Sequence, residues 1–209
     1  MPVNFEPFST QDETHILHPA SRQLFRFWES MRAEKAAPLR SELDLAQIRA
    51  LVPSLFIGEF SNRSRVFRWR LAGTAICELY RRELTGTAML ADWDGFETET
   101  ISRFLGATIT GRQPCVLRFR IETDRQQVIG AELAGFPLTA ADGRSTHIFG
   151  GLFPFRDIAP LDYGCLLRFE LAAARSIWTE NLTVSGPAER PETLALRNFR
   201  VIAGGRSNN

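Results

Sequence analysis

FRWRLAGTAICELYRRELTG, residues 67–86, is the stretch whose reading decides the fold. It opens as a strand, with Phe67, Trp69 and Leu71 alternating against Val66, Arg68 and Arg70 in the period-2 pattern of a half-buried sheet. The strand breaks at Ala72-Gly73-Thr74. A short helix is expected next, with Thr74 as its N-cap, Ala75, Ile76 and Leu79 apolar, and Glu78 in its first turns. The pair Arg81-Arg82 follows, and Glu83-Leu84-Thr85-Gly86 closes the segment as a polar turn.

Working outward, residues 1–19 are polar and interrupted by Pro2, Pro7 and Pro19, which reads as an extended arm. Over 21–36 the pattern becomes helical: Leu24, Phe27, Trp28 and Met31 fall at i, i+3, i+4 and i+7. Ser21 is the expected cap, and Pro38 ends the helix. A second short helix over 45–52 is capped by Asp44, shows Leu45, Ile48, Leu51 and Val52 on one face, and is stopped by Pro53. Strands are expected at 55–60 and 66–71, joined by a turn at Asn62-Arg63-Ser64-Arg65.

Downstream, Met89 to Trp93 reads as one helical turn, and a longer helix over 96–110 carries Phe96, Thr100, Phe104 and Ala107 on one stripe. Three further strands are expected at 115–123, 128–139 and 146–155. Pro137 marks an edge or bulge, and Asp142-Gly143 marks a turn. Strands, then helices, then strands is an α+β order rather than an alternating one. Residues 161–181 contain LLRFELAAARSIW, which reads equally as helix or strand. The expected organisation is an arm at 1–19, N-terminal helices at 20–53, a core at 54–156, a C-terminal extension at 157–202 and a disordered tail at 203–209.

Composition narrows the class of role. A hydrophobic share of 44% and an aromatic share of 11%, with 16 Phe and 4 Trp among 209 residues, supply a full core for one domain. A net charge of +1 gives no bulk field to draw nucleic acid or an anionic membrane. Lys35 is the only lysine, so the basic residues are otherwise arginine. That suits recognition of carboxylate or phosphate, and equally a genome rich in arginine codons. Cys77, Cys115 and Cys165 are widely spaced and form no zinc pattern, which fits a reducing cytoplasm. The N-terminus lacks the pattern of a signal peptide, and no apolar run approaches the ~18 residues of a membrane span.

The chain resembles the PAS superfamily and, more narrowly, a bacterial family of small stand-alone PAS-like proteins of largely unknown function. The residues that carry the resemblance are Phe27-Trp28, Pro38-Leu39-Arg40-Ser41-Glu42-Leu43-Asp44, Ile48-Arg49 through Pro53, Leu55-Phe56 and the 67–86 segment, within residues 20–156. Arg81 departs from the pattern, standing where a glycine is expected before the turn. The resemblance implies a five-stranded antiparallel sheet with helices over one face, often a dimer, and no catalytic residue.

Candidate chemistry is sparse. Haem needs an axial ligand, usually His, and only His15, His18 and His147 exist. His147 is placed on the last core strand, where it could face a cavity. Cys77 lacks the Asn-Cys-Arg-Phe-Leu-Gln-like context of flavin photosensors, so haem and flavin are both disfavoured and the cofactor stays open. Cys77 reads as a small core residue. Arg70 sits beside the bend, near the presumed cavity mouth, where it needs either an internal acid such as Glu78 or Glu83 or a ligand anion. Trp93 and Phe104 are an apolar wall or ordinary core. Arg70, Cys77, Trp93, Phe104 and His147 are therefore the candidate ligand contacts. The Leu24, Phe27, Trp28 and Met31 stripe is the candidate dimer interface, with packing inside the monomer as its alternative.

The expected role is a non-enzymatic sensory or signalling module that binds a small molecule or a protein partner and acts in trans. A packed-core interaction scaffold without ligand, and an enzyme with a cone-shaped pocket, are the alternatives.

Overall fold

The computed structural model describes residues 15–61, 63–143, 145–157 and 164–177. Most of the expected arm, the tail and the part of the extension after 177 lie outside the described residues. Among the described residues there are three α-helices and six strands: α1 (Pro19–Arg32), β1 (Leu55–Ser61), β2 (Val66–Ala72), α2 (Thr74–Tyr80), α3 (Gly95–Gly111), β3 (Cys115–Thr123), β4 (Val128–Leu138), β5 (His147–Pro154) and β6 (Leu166–Ser176). The strands form one antiparallel sheet in the order β2-β1-β5-β4-β3-β6. The five expected strands and their α+β order are thus found, and a sixth strand is added at the β3 edge.

β6 resolves the ambiguous stretch. Its alanines favour helix locally, yet nine of its eleven residues pair along the whole of β3, and Phe169 is buried between the sheet and the helices. Tertiary pairing overrides the local preference. Two register shifts against β3, at Arg118/Phe119 and Glu122/Thr123, let this long edge strand follow its neighbour. Glu97 of α3 accepts the Leu171 N–H at 2.7 Å and ties the first turn of that helix to the new strand.

The sheet is covered on both faces. On the inner face, Ile76 and Leu79 of α2 and Ile101, Leu105 and Ile109 of α3 pack against Phe56, Trp69, Leu117, Phe119, Ile129, Leu133 and Ile148. On the outer face, α1 packs Leu24, Phe25, Phe27 and Trp28 onto Phe136, Phe149 and Phe153, and Ile48 joins from a 3-10 segment at Leu45–Ser54 that Asp44 caps. Alternation along β4 explains the division. Ile129, Ala131 and Leu133 face inward, whereas Ala134, Phe136 and Leu138 face outward.

Local chemistry corrects two expected caps. His18, not Ser21, caps α1: its Nδ1 accepts the Ala20 N–H at 3.1 Å, while Ser21 is fully buried and its Oγ has no hydrogen-bond partner among the described residues. Gly73, not Thr74, stands at the α2 N-cap. A Cβ on Gly73 would lie 2.2 Å from the Pro53 carbonyl oxygen, so glycine is needed for the chain to pass the end of the 3-10 segment. At the other end of α2, Arg81 takes the left-handed conformation (φ 52°, ψ 32°), the geometry for which a glycine is expected.

The expected dimer stripe is spent inside the chain. Leu24 and Trp28 are 0% exposed and Phe27 is 6% exposed. Trp28 stacks on Phe136 at 5.7 Å and donates its indole N–H to the Pro137 carbonyl at 3.0 Å. Met31 is half-buried against the same layer. Leu24, Phe27 and Trp28 are therefore covered by the chain's own sheet. Their size matches an aromatic outer sheet face that would otherwise be exposed.

Candidate functional site

The space between the inner sheet face and α2/α3 is where a sheet-and-helix shell of this kind can enclose a ligand. Among the described residues it is almost closed. What remains is a cavity of about 20 Å³, lined by Trp69, Tyr80, Trp93, Phe119, Leu117 and Leu133 among others. A single water needs roughly 10–15 Å³, and organic ligands occupy pockets of roughly 300–1,000 Å³.

The filling is aromatic and continuous. Trp93 meets Phe119 edge-on at 5.1 Å and Phe169 at 5.0 Å; Tyr80 stacks on Phe169 at 5.5 Å; Trp69 meets Phe56 edge-on at 5.3 Å. Phe169 belongs to β6, so the sixth strand itself supplies part of the plug.

The five expected ligand contacts are not brought together. Trp93 does line the residual cavity, and Phe104 packs against the same core without lining it. Cys77 is half-buried at the edge of that core, with its thiol 3.9 Å from the Ala72 carbonyl oxygen. Arg70 is excluded from the cavity: the alternation that turns Phe67 and Trp69 inward turns Arg70 outward. Its side chain is 62% exposed and lies 3.9 Å from Glu59 on the neighbouring strand, an exposed pair that contributes little.

His147 also faces away from the cavity. It lies on the outer face, 3.5 Å from Arg40 Nη1 and 3.8 Å from Glu59, with Thr146 Oγ1 at 3.1 Å from its Nδ1. Burial is the largest influence and lowers its pKa; Glu59 opposes this, while Arg40 and Arg70 reinforce it.

One polar device of the outer face was not anticipated. Glu132 on β4 is 0% exposed, and its two carboxylate oxygens accept the N–H groups of Leu17 and His18 at 3.0 and 2.9 Å. Arg118 lies 3.8 Å away. This anchors the segment leading into α1 on the sheet. His18 then stacks flat on Phe153 with ring centroids 5.2 Å apart. The sequence signal is Glu132 itself, a lone charge inside the apolar run Val128–Leu138. Among the described residues no group of three or more His, Cys, Asp or Glu is placed to hold a metal ion, and no described helix is long and apolar enough to cross a membrane.

Residues 16–153 match the family model described as a PAS domain. The chain belongs to the PAS domain family. No curated protein sequence matches it. Among solved structures, this PAS domain is similar to a light-oxygen-voltage domain studied with a flavin analogue, at a TM-score of 0.41 and 10% identity, covering 53% of this chain and 83% of that one. It is also similar to the LOV protein of Rhodobacter sphaeroides, at a TM-score of 0.39 and 14% identity, covering 56% and 72%. At these scores the similarity carries no argument about a ligand. Among the described residues, the inner cavity of about 20 Å³ is far smaller than a tricyclic flavin.

Proposed function

We propose that this PAS domain is a non-enzymatic sensory module whose inner face is filled by its own side chains and which passes its state on through protein contacts at its surface. The observation that carries the reading is the closure of the inner cavity by Trp69, Tyr80, Trp93, Phe119 and Phe169. A close-packed aromatic core is rigid and leaves little internal room for a cofactor that would convert light, oxygen or redox state into a signal. The test is native mass spectrometry of freshly purified protein with an absorption spectrum beside it. The expected result is the 23.6 kDa chain mass, or a whole multiple of it, and no visible band. A visible chromophore retained at one per chain would overturn the reading.

A further inference from the structure

β6 stands at one end of the sheet, and β3 occupies only one of its two edges. No described strand pairs with the other. The ladder fixes which backbone groups that outer edge offers. Ile177 donates its N–H to the Pro114 carbonyl at 2.8 Å. Residues of an antiparallel pair alternate between bonding the neighbour and turning away, so Arg175 bonds β3 while Ser176 and Ala174 turn outward. The register shift at Arg118/Phe119 leaves Ala172 unpaired, and beyond it Leu171 and Phe169 turn outward in the same way.

At its middle this edge is closed from within the chain. Glu97 of α3 accepts the Leu171 N–H through Oε1 at 2.7 Å, and Arg175 donates Nη1 to the Ala174 carbonyl at 3.1 Å. The other carboxylate oxygen of Glu97 is buried and has no hydrogen-bond partner among the described residues. A buried acceptor without a donor is costly, so Glu97 is held on the edge against a hydration penalty. A charged side chain turned onto an open edge is one means by which sheets keep a further strand away.

We propose that the outer edge of β6 is a pairing edge for a second copy of this chain, and that Glu97 is the latch that closes it. Charge and backbone agree on one antiparallel register, about a two-fold axis between Ala172 and Ala173. There the Leu171 N–H meets the carbonyl of the partner's Ala174, so the two groups now capped by Glu97 and Arg175 satisfy each other. Glu170 then stands opposite the partner's Arg175, and does so twice across the axis, an attractive cross-strand pair. Both side chains lie on the outer face, opposite Arg120 and Val116 of β3. Five positions apart, they would point to opposite faces in a regular strand; the unpaired Ala172 brings them to the same one. Release of Glu97 to water returns the hydration its buried oxygen lacks, which makes the latch reversible. The edge gives the surface contacts of the proposed function a location, but it stands on strand geometry alone. A retained chromophore would overturn that function and leave this edge untouched.

The experiment measures sedimentation velocity of the full chain over a concentration series, with amide exchange in nitrogen-15 NMR spectra to locate the contact. Glu97→Ala should dimerise at least about tenfold more tightly than the parent, since two latches no longer compete. The outward amides of Phe169, Ala174 and Ser176 should slow in exchange as that dimer forms. Glu97→Gln keeps an acceptor for Leu171 and should associate as the parent does. In the Glu97→Ala background, Glu170→Arg should weaken the dimer, and adding Arg175→Glu should restore it. Should Glu97→Ala fail to fold, the parent is compared at micromolar and millimolar concentration, where the same three amides should slow in the concentrated sample. Equal association of the parent and Glu97→Ala, or a dimer that leaves those amides unchanged, overturns the proposal.

Discussion

The two faces of the sheet are both apolar and aromatic, but they are built differently. The inner face is closed almost wholly by ring-on-ring packing of Trp69, Tyr80, Trp93, Phe119 and Phe169. The outer face adds directional polar contacts: the Trp28 indole to Pro137, the Glu132 carboxylate to two backbone amides, and the His18 ring to Ala20. Hydrophobic burial is non-directional, whereas a buried hydrogen bond is satisfied in one geometry only. The inner layer is therefore specified by volume, whereas the outer layer also fixes where α1 sits.

The largest expected effect comes from the outer anchor. Trp28→Ala should destabilise the fold by about 3–5 kcal/mol, read by urea unfolding, since it removes a fully buried ring. A cost below about 1 kcal/mol would detach α1 from the core and restore the interface reading of that stripe. Glu132→Ala should follow at about 3 kcal/mol, because the Leu17 and His18 amides then lack their acceptor. Its signature is faster amide exchange at those two positions.

The inner face is broken by enlargement. Leu117→Phe should destabilise by about 1–3 kcal/mol, since a cavity of about 20 Å³ cannot take the added ring atoms. A neutral or stabilising result would mean that the inner space is larger than described.

The smallest effect is a pH dependence belonging to the outer face. Burial holds the His18 pKa below 6.5, against the opposing pull of Glu132. As pH falls through about 6.5 the unfolded chain takes up that proton first, so stability drops until the lower folded value is passed. Protonation also fills the Nδ1 lone pair that caps α1. His18→Asn keeps an acceptor at the cap, and it should remove this part of the acid-side loss in unfolding curves measured across that range.

This difference between the faces also explains what was legible in the chain. Period-2 alternation marks the strands, and the Phe67–Trp69 pattern already turns Arg70 to the opposite side; placing Arg70 at a cavity mouth weighed its position in the chain above that alternation. His147 was harder to place, because β5 is buried on both faces and His147, Ile148 and Phe149 offer no polar side to set the phase. The stripe of α1 was visible as a stripe, but pattern alone does not say whether a partner chain or the chain's own sheet covers it. β6 was hidden by its alanines, whose local preference is helical. Arg81 standing in a glycine position was legible as a departure, and the structure shows what it is: a left-handed residue that ends α2.

The most direct test of the closed inner face is to offer it a cofactor while it is open. The protein is unfolded in guanidinium, refolded with excess FMN, desalted, and its visible absorption measured. A filled core predicts native protein with no retained flavin band. Flavin retained at one per chain after desalting would contradict it.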